Sequence, residues 1–224
     1  MKNTALTLLT GLALATAAQA GSDYSSKGKE VIPPPAPSCL WTWFAGGSGG
    51  YVSGDWDEEI YTLHLGAERK CPGSDCSHAF YLEVGYTEKD GEIGIATAPG
   101  GPASLVYDVE VEIIPITLNY KYECALTGNL NWYVGAGAGI ALYDADASHV
   151  QAPGQSFDDT LFYAHVFTGL VYNVSESFEI FGGVRYIFMD DPDLDIGAFG
   201  FASGEDEFSM DGDLHFELGA RFNF

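Results

Sequence analysis

The chain has 224 residues, with 9 Lys plus Arg against 32 Asp plus Glu and a formal net charge of −23. So acidic a balance lacks the basic face that nucleic acid requires, and no nucleic-acid partner is expected. Yet 46% of the residues are hydrophobic and 14% aromatic, too many for a solvated acidic tail, so the chain must fold its apolar side chains against something.

Residues 1–20 read as a signal peptide. Lys2 opens a short positive region, Ala5 to Ala15 form a mostly apolar run, and Ala18-Gln19-Ala20 supplies a small-residue cleavage site. The run is too short for a transmembrane helix, and no later stretch approaches the roughly 18 apolar residues that one needs. Residues 21–40 read as a proline-rich tail, because Pro33-Pro34-Pro35-Ala36-Pro37 favours stiff polyproline II and cannot join a β-ladder.

From residue 41 to residue 224 the sequence breaks into eight segments of alternating apolar and polar residues. Such alternation means strands with one oily and one wet face, and each is long enough for a tilted membrane strand. The first, Trp43 to Val52, sets Trp43, Ala45, Gly47, Gly49 and Tyr51 on one face. The second, Ile60 to Glu68, offers Tyr61, Leu63 and Leu65, and the third, Ala79 to Glu88, offers Phe80, Leu82, Val84 and Tyr86. In the fourth, Tyr107 to Glu123, the apolar face changes phase between Ile113 and Ile114, which predicts a β-bulge beside Pro115. Asn131 to Leu142, Phe162 to Val174, and Phe178 to Met189 follow, and the eighth segment starts near Leu214 and stops on Phe224.

After the first pair of strands the connections alternate between long and short, the bacterial barrel pattern of outer loops and periplasmic turns. On that plan Cys39, Cys71, Cys76 and Cys124 all fall on the periplasmic rim, where an oxidising compartment favours disulfides. Four cysteines allow three pairings. The expected one joins Cys71 to Cys76 and leaves Cys39 with Cys124, and a metal site on Cys71, Cys76 and His78 is the less favoured alternative.

A soluble barrel would turn the apolar faces inward, whereas a membrane barrel turns them to lipid. The polar faces carry few lysines and many glycines, a poor surface for water but a good filling for a narrow lumen. Trp43, Tyr51, Trp132, Tyr172, Tyr186, Phe222 and Phe224 sit near strand ends, as aromatic girdles do. The expected fold is therefore all-β, an eight-stranded antiparallel transmembrane barrel.

The opening Trp43-Phe44-Ala45-Gly46-Gly47-Ser48-Gly49-Gly50-Tyr51, the Ile114-Pro115-Ile116 step and the Phe222-Asn223-Phe224 ending resemble the small outer-membrane β-barrel superfamily. The OmpA transmembrane domain and the opacity-type surface proteins belong to it. The resemblance covers residues 41–224 and implies the outer membrane of a Gram-negative cell, with lipid and lipopolysaccharide as surroundings. It also implies that Phe224 is the residue read by the barrel-assembly machinery, and that an internal ion-pair network fills the lumen.

Levelling the tops of the last two strands places Glu179 opposite Arg221 and Arg185 opposite His215, with Glu217 on the diagonal. The same reasoning sets Glu83 against Glu112 beside Glu110, three carboxylates that need a cation, for which Arg185 is across the lumen. This network reads as a satisfied polar core, with an ion gate as the functional alternative. His64, His165 and His215 point inward from separate strands and read as core residues, with a metal there as the less favoured alternative.

Acids crowd the first outer loop at Asp55, Asp57, Glu58 and Glu59, and the last at Asp190, Asp191, Asp193, Asp195, Glu205, Asp206, Glu207, Asp211 and Asp213. Carboxylates at this density can hold divalent cations that bridge to lipopolysaccharide, although a solvated, repulsive surface is the plainer reading. No serine, histidine and acid converge for hydrolysis, so no enzyme and no cofactor are expected. Gly135, Gly137 and Gly139 lie within a strand and lack the helix of a phosphate-binding loop. The expected role is structural or interactive at the cell surface, and the resemblance implies envelope integrity and adhesion as its forms. A narrow gated pore and a lipid-modifying enzyme are the alternatives.

Overall fold

A computed structural model describes residues 38–54, 56–96, 103–149, 152–190 and 210–224. The expected signal peptide and most of the tail lie outside them. Eight antiparallel strands close into a barrel in sequence order, with β1 paired to β8. They are β1 (Leu40–Ser53), β2 (Glu59–Lys70), β3 (Cys76–Ala96), β4 (Ala103–Thr127), β5 (Leu130–His149), β6 (Ala152–Asn173), β7 (Phe178–Met189) and β8 (Leu214–Asn223).

Strand lengths differ around the wall. β3 to β6 have 21, 25, 20 and 22 residues, whereas β1, β2, β7 and β8 have 14, 12, 12 and 10. The ladder between β2 and β3 stops at Ile60↔Thr87, and that between β6 and β7 at Tyr163↔Met189. The central four strands therefore project beyond the others at the end away from Leu40 and Phe224. At about 3.3 Å per residue, β3 runs on for roughly 30 Å past its last partner in β2.

The end that carries Leu40 and Phe224 is tied by short turns and two disulfides. The pairing differs from the expected one: Cys39 joins Cys71, and Cys76 joins Cys124. Register is the cause. Leu40 pairs with Lys70, so Cys39 and Cys71 are the next residues in step, and Cys76 stands directly opposite Cys124. Each bridge staples two neighbouring strands at their ends.

β4 also corrects an expectation, for no phase slip occurs at Ile113. Val109, Val111, Ile113, Pro115, Thr117, Asn119 and Lys121 are all buried and share the inward face. Pro115 is fitted without a bulge. Its ring packs where a Cβ on Gly85 would lie, 2.8 Å from Pro115 Cγ, and the missing donor falls in a gap of the β3–β4 ladder between Val84↔Ile116 and Thr87↔Ile113.

What changes along β4 is the chemistry of the two faces. Near the termini the inward face is polar and the outward face is apolar: Leu118 is 60% exposed, as are Leu63 at 73% and Leu218 at 70%. Beyond Ile113 the faces exchange character. Val109, Val111 and Ile113 join an inward apolar core with Tyr143, Leu161, Ile187 and Met189. Glu88, Glu110, Glu112, Asp144, Asp146 and Asp158 take the outward positions.

Candidate functional site

Two ion clusters fill the polar part of the lumen. In the first, Arg185 from β7 reaches across to Glu83 on β3 and sideways to Glu217 on β8. Its Nη2 donates to Glu83 Oε2 at 2.9 Å and to Glu217 Oε2 at 2.7 Å, its Nε donates to Glu217 Oε2 at 3.0 Å, and Nη1 bonds Glu83 Oε1. Ser48 and Tyr133 donate to the same Glu217 carboxylate, at 3.4 and 3.3 Å. Phe167 lies under the guanidinium, 5.4 Å from ring centroid to Cζ. Every member is buried, and the pairing keeps such charges tolerable in a narrow interior.

In the second cluster, nearer the termini, Arg221 bonds Glu179, donates to Glu68 Oε2 at 2.6 Å and approaches Glu123 Oε2 at 3.5 Å. Lys121 Nζ lies 2.6 Å from Glu123 Oε2, and Asn131 donates to Glu123 Oε1 at 2.7 Å. Phe44 stacks on Arg221 at 4.8 Å. Between the clusters is a cavity of about 30 Å³ lined by both arginines, Glu83, Glu217, Lys121 and Tyr133. That is room for a water or two and not for a solute.

The lumen is closed again above. Trp56, from the β1–β2 connection, is fully buried in the apolar core with Met210 from the β7–β8 connection. Its backbone N–H donates to Asp213 Oδ2 at 2.9 Å, and its indole donates to Thr87 Oγ1 at 2.8 Å. Thr87 passes the bond on to the Glu59 carbonyl at 2.7 Å. Asp213 is thus a buried anchor of this plug, whereas the sequence placed it among solvated loop acids.

Glu83, Glu179, Arg185, His215, Glu217 and Arg221 all sit in the lumen. Glu110 and Glu112 do not. Glu83 stands opposite Thr117, and Glu112 pairs outward with Glu88 and Asp144. The phase slip assumed in β4 had turned both side chains inward. His215 is buried with its Nε2 unbonded, His165 Nε2 lies 2.8 Å from Asn119 Oδ1 and 3.3 Å from Arg185 Nη1, and His64 packs among Phe44, Tyr81 and Phe181. The three histidines do not converge on one point. His78 faces outward with its Nδ1 on Tyr120 OH, and the cysteines expected beside it are all in disulfides.

Glu68, Lys121 and Glu123 are network members that the sequence reading left out of the site; their signal was the inward parity of β2 and β4 carried to the strand ends. On the outer face, carboxylate oxygens of Glu88, Glu110 and Glu112 lie within 4.8 Å of one another. Among the loop acids, Asp55, Asp191, Asp193, Asp195, Glu205, Asp206 and Glu207 lie outside the described residues.

A closed barrel of this kind has a counterpart among solved structures. A major outer membrane protein from Thermus thermophilus superposes with a TM-score of 0.57 at 12% identity, over 83% of this chain and 100% of that one. The fold is that of a small outer-membrane β-barrel. Neisserial surface protein A matches with a TM-score of 0.43 at 17% identity, over 84% of this chain and 99% of that one. The N-terminal barrel domain of Pseudomonas aeruginosa OprF matches with a TM-score of 0.45 at 16% identity, over 82% and 97%. No protein-family model matches the chain, and no curated protein matches it in sequence.

Proposed function

We propose that this barrel resides in a bacterial outer membrane, termini in the periplasm, and serves as a structural or adhesive element of the cell surface. The observation that carries this reading is the continuous outward band of exposed apolar side chains, from Trp43 and Leu63 through Leu82, Leu118, Ile140, Val166 and Tyr186 to Leu218 and Phe222, set around a sealed interior. A water-soluble barrel would bury such a band. The closed lumen supports a surface role over transport, because two ion clusters and the Trp56 plug occupy the only route along the barrel axis among the described residues.

On this reading Phe224, 65% exposed at the end of β8, is presented to the assembly machinery. The acids around Glu88, Glu110 and Glu112 stand just beyond the lipid band, where divalent cations would bridge them to lipopolysaccharide. Heat-modifiable gel mobility after mixing with lipid vesicles tests the membrane assignment. The folded form should run apart from the boiled form and float with the vesicles; solubility without detergent and no shift would sink it. Detergent sensitivity and surface adhesion of cells lacking the protein, compared with complemented cells, test the role, and unchanged behaviour in both assays counts against it.

A further inference from the structure

Resting on the membrane reading above, we infer that the periplasmic rim of β1 to β5 carries a site for the phosphate headgroup of an anionic phospholipid, centred on Arg69. Among the described residues, Lys121, Arg185 and Arg221 are in the lumen, Lys89 lies over the Trp56 ring and Lys70 ends β2 at the rim. Arg69 alone of the arginines and lysines takes an outward strand position, and no described ion pair or side-chain hydrogen bond engages it.

Its neighbours are set by register. Trp41, Arg69, His78 and Tyr122 form one outward row across β1 to β4, and Trp43, Ala67, Phe80 and Tyr120 form the next. Neither row holds an acid, although the chain carries −23. The rings are ordered against one another: Phe80 on Tyr120 at 5.1 Å, His78 on Tyr122 at 5.2 Å, Tyr122 on Trp132 at 6.1 Å, with His78 Nδ1 2.8 Å from Tyr120 OH. The result is a guanidinium with no described ion pair, flanked in register by an indole and an imidazole, at the level where lipid meets water. Aromatic rings favour that boundary, and a guanidinium there matches a phosphate in charge and in fork geometry. On the opposite wall the outward positions at the same level are Leu170, Tyr172, Phe178, Ile180 and Phe222, with no cation, so one side of the barrel selects the lipid.

The test uses the folded protein in vesicles of equal phosphatidylcholine and phosphatidylglycerol, with one or the other brominated, and reads quenching of tryptophan fluorescence. Trp41 and Trp43 flank the site. Brominated phosphatidylglycerol should report roughly fivefold higher local occupancy than brominated phosphatidylcholine, the enrichment expected for one basic residue near an anionic headgroup. The preference should vanish in Arg69→Gln and survive in Arg69→Lys. Equal quenching by the two lipids in the wild type, or an unchanged preference in Arg69→Gln, overturns the inference. If Arg69→Gln loses its heat-modifiable form, the wild type decides: a preference that persists in about 0.5 M salt, where exposed charges are screened, is not the one proposed. A chain that never enters the vesicles fails the membrane assignment instead, and the gel shift separates the two failures.

Discussion

Asn119 and Val111 lie on one strand and point the same way, yet Asn119 faces a polar lumen and Val111 an apolar core. Their outward neighbours invert with them: Leu118 is exposed to one side of the wall, and Glu110 to the same side further along. On the proposed membrane reading, the solvent outside the wall decides both faces. Where lipid surrounds the barrel, burial of apolar groups happens outside, and the lumen can be polar because its charges pair. Where water surrounds it, the ordinary hydrophobic effect returns and the apolar groups turn inward. The two regions therefore respond to opposite substitutions, which gives ways to break the comparison.

The largest effect belongs to the lipid-level lumen. Arg185→Leu leaves Glu83 and Glu217 buried without their shared cation, and should cost about 3–5 kcal/mol, read as a lower urea midpoint for loss of the unheated gel form. Replacing both glutamates with Gln in the same variant should restore most of it. An unchanged midpoint in the single variant would mean that the lumen is solvated. Next comes the wall itself. Leu118→Arg, in the middle of the apolar band, should cost about 2–4 kcal/mol in bilayers. Arginine at Glu110 should cost nothing there, and equal tolerance at both positions would erase the boundary between the regions.

In the projecting region the plug is the sensitive point. Thr87→Val strands the Trp56 indole N–H and the Glu59 carbonyl, each bonded through that hydroxyl, and should cost about 1–3 kcal/mol. Trp56 fluorescence should shift to the red as water reaches it; an unshifted spectrum would show that the plug holds without the hydroxyl.

The same inversion explains what was legible in the sequence. Alternation identified the outward faces of β1, β2, β3 and β5 to β8, and level strand tops gave the pairs Glu179↔Arg221 and Arg185↔His215 as found. β4 misled because the rule that apolar means outward assumes one environment along the strand. Read through that rule, Val111 and Ile113 demanded a bulge, and Glu110 and Glu112 were carried into the lumen. The cysteine pairing was hidden for a different reason: it depends on the register at strand ends, which alternation fixes only to within a residue or two. Trp56 gave no signal, since one tryptophan in a short acidic loop carries no period.

The smallest predicted effect is on the outward acids. Glu88 pairs with Glu112, Glu112 with Asp144, and Glu110 with Asp146, so like charges stand directly opposite across β3 to β5. Beyond the proposed lipid band, repulsion from Glu88 first, then slight desolvation and the charges of Asp90, Glu112 and Asp146, raises the exposed Glu110 carboxyl above its usual range. A carboxyl raised on folding binds its proton more tightly in the folded than in the unfolded chain. Its ionisation therefore opposes folding at neutral pH, and that opposition fades as pH falls through the raised value toward the unfolded one. Glu110→Gln should thus raise the urea midpoint slightly at pH 7 and leave it unchanged near pH 4. Magnesium at pH 7 should mimic the substitution if cations occupy the ladder. A gain that is equal at both pH values would show that the repulsion is not what the variant relieves.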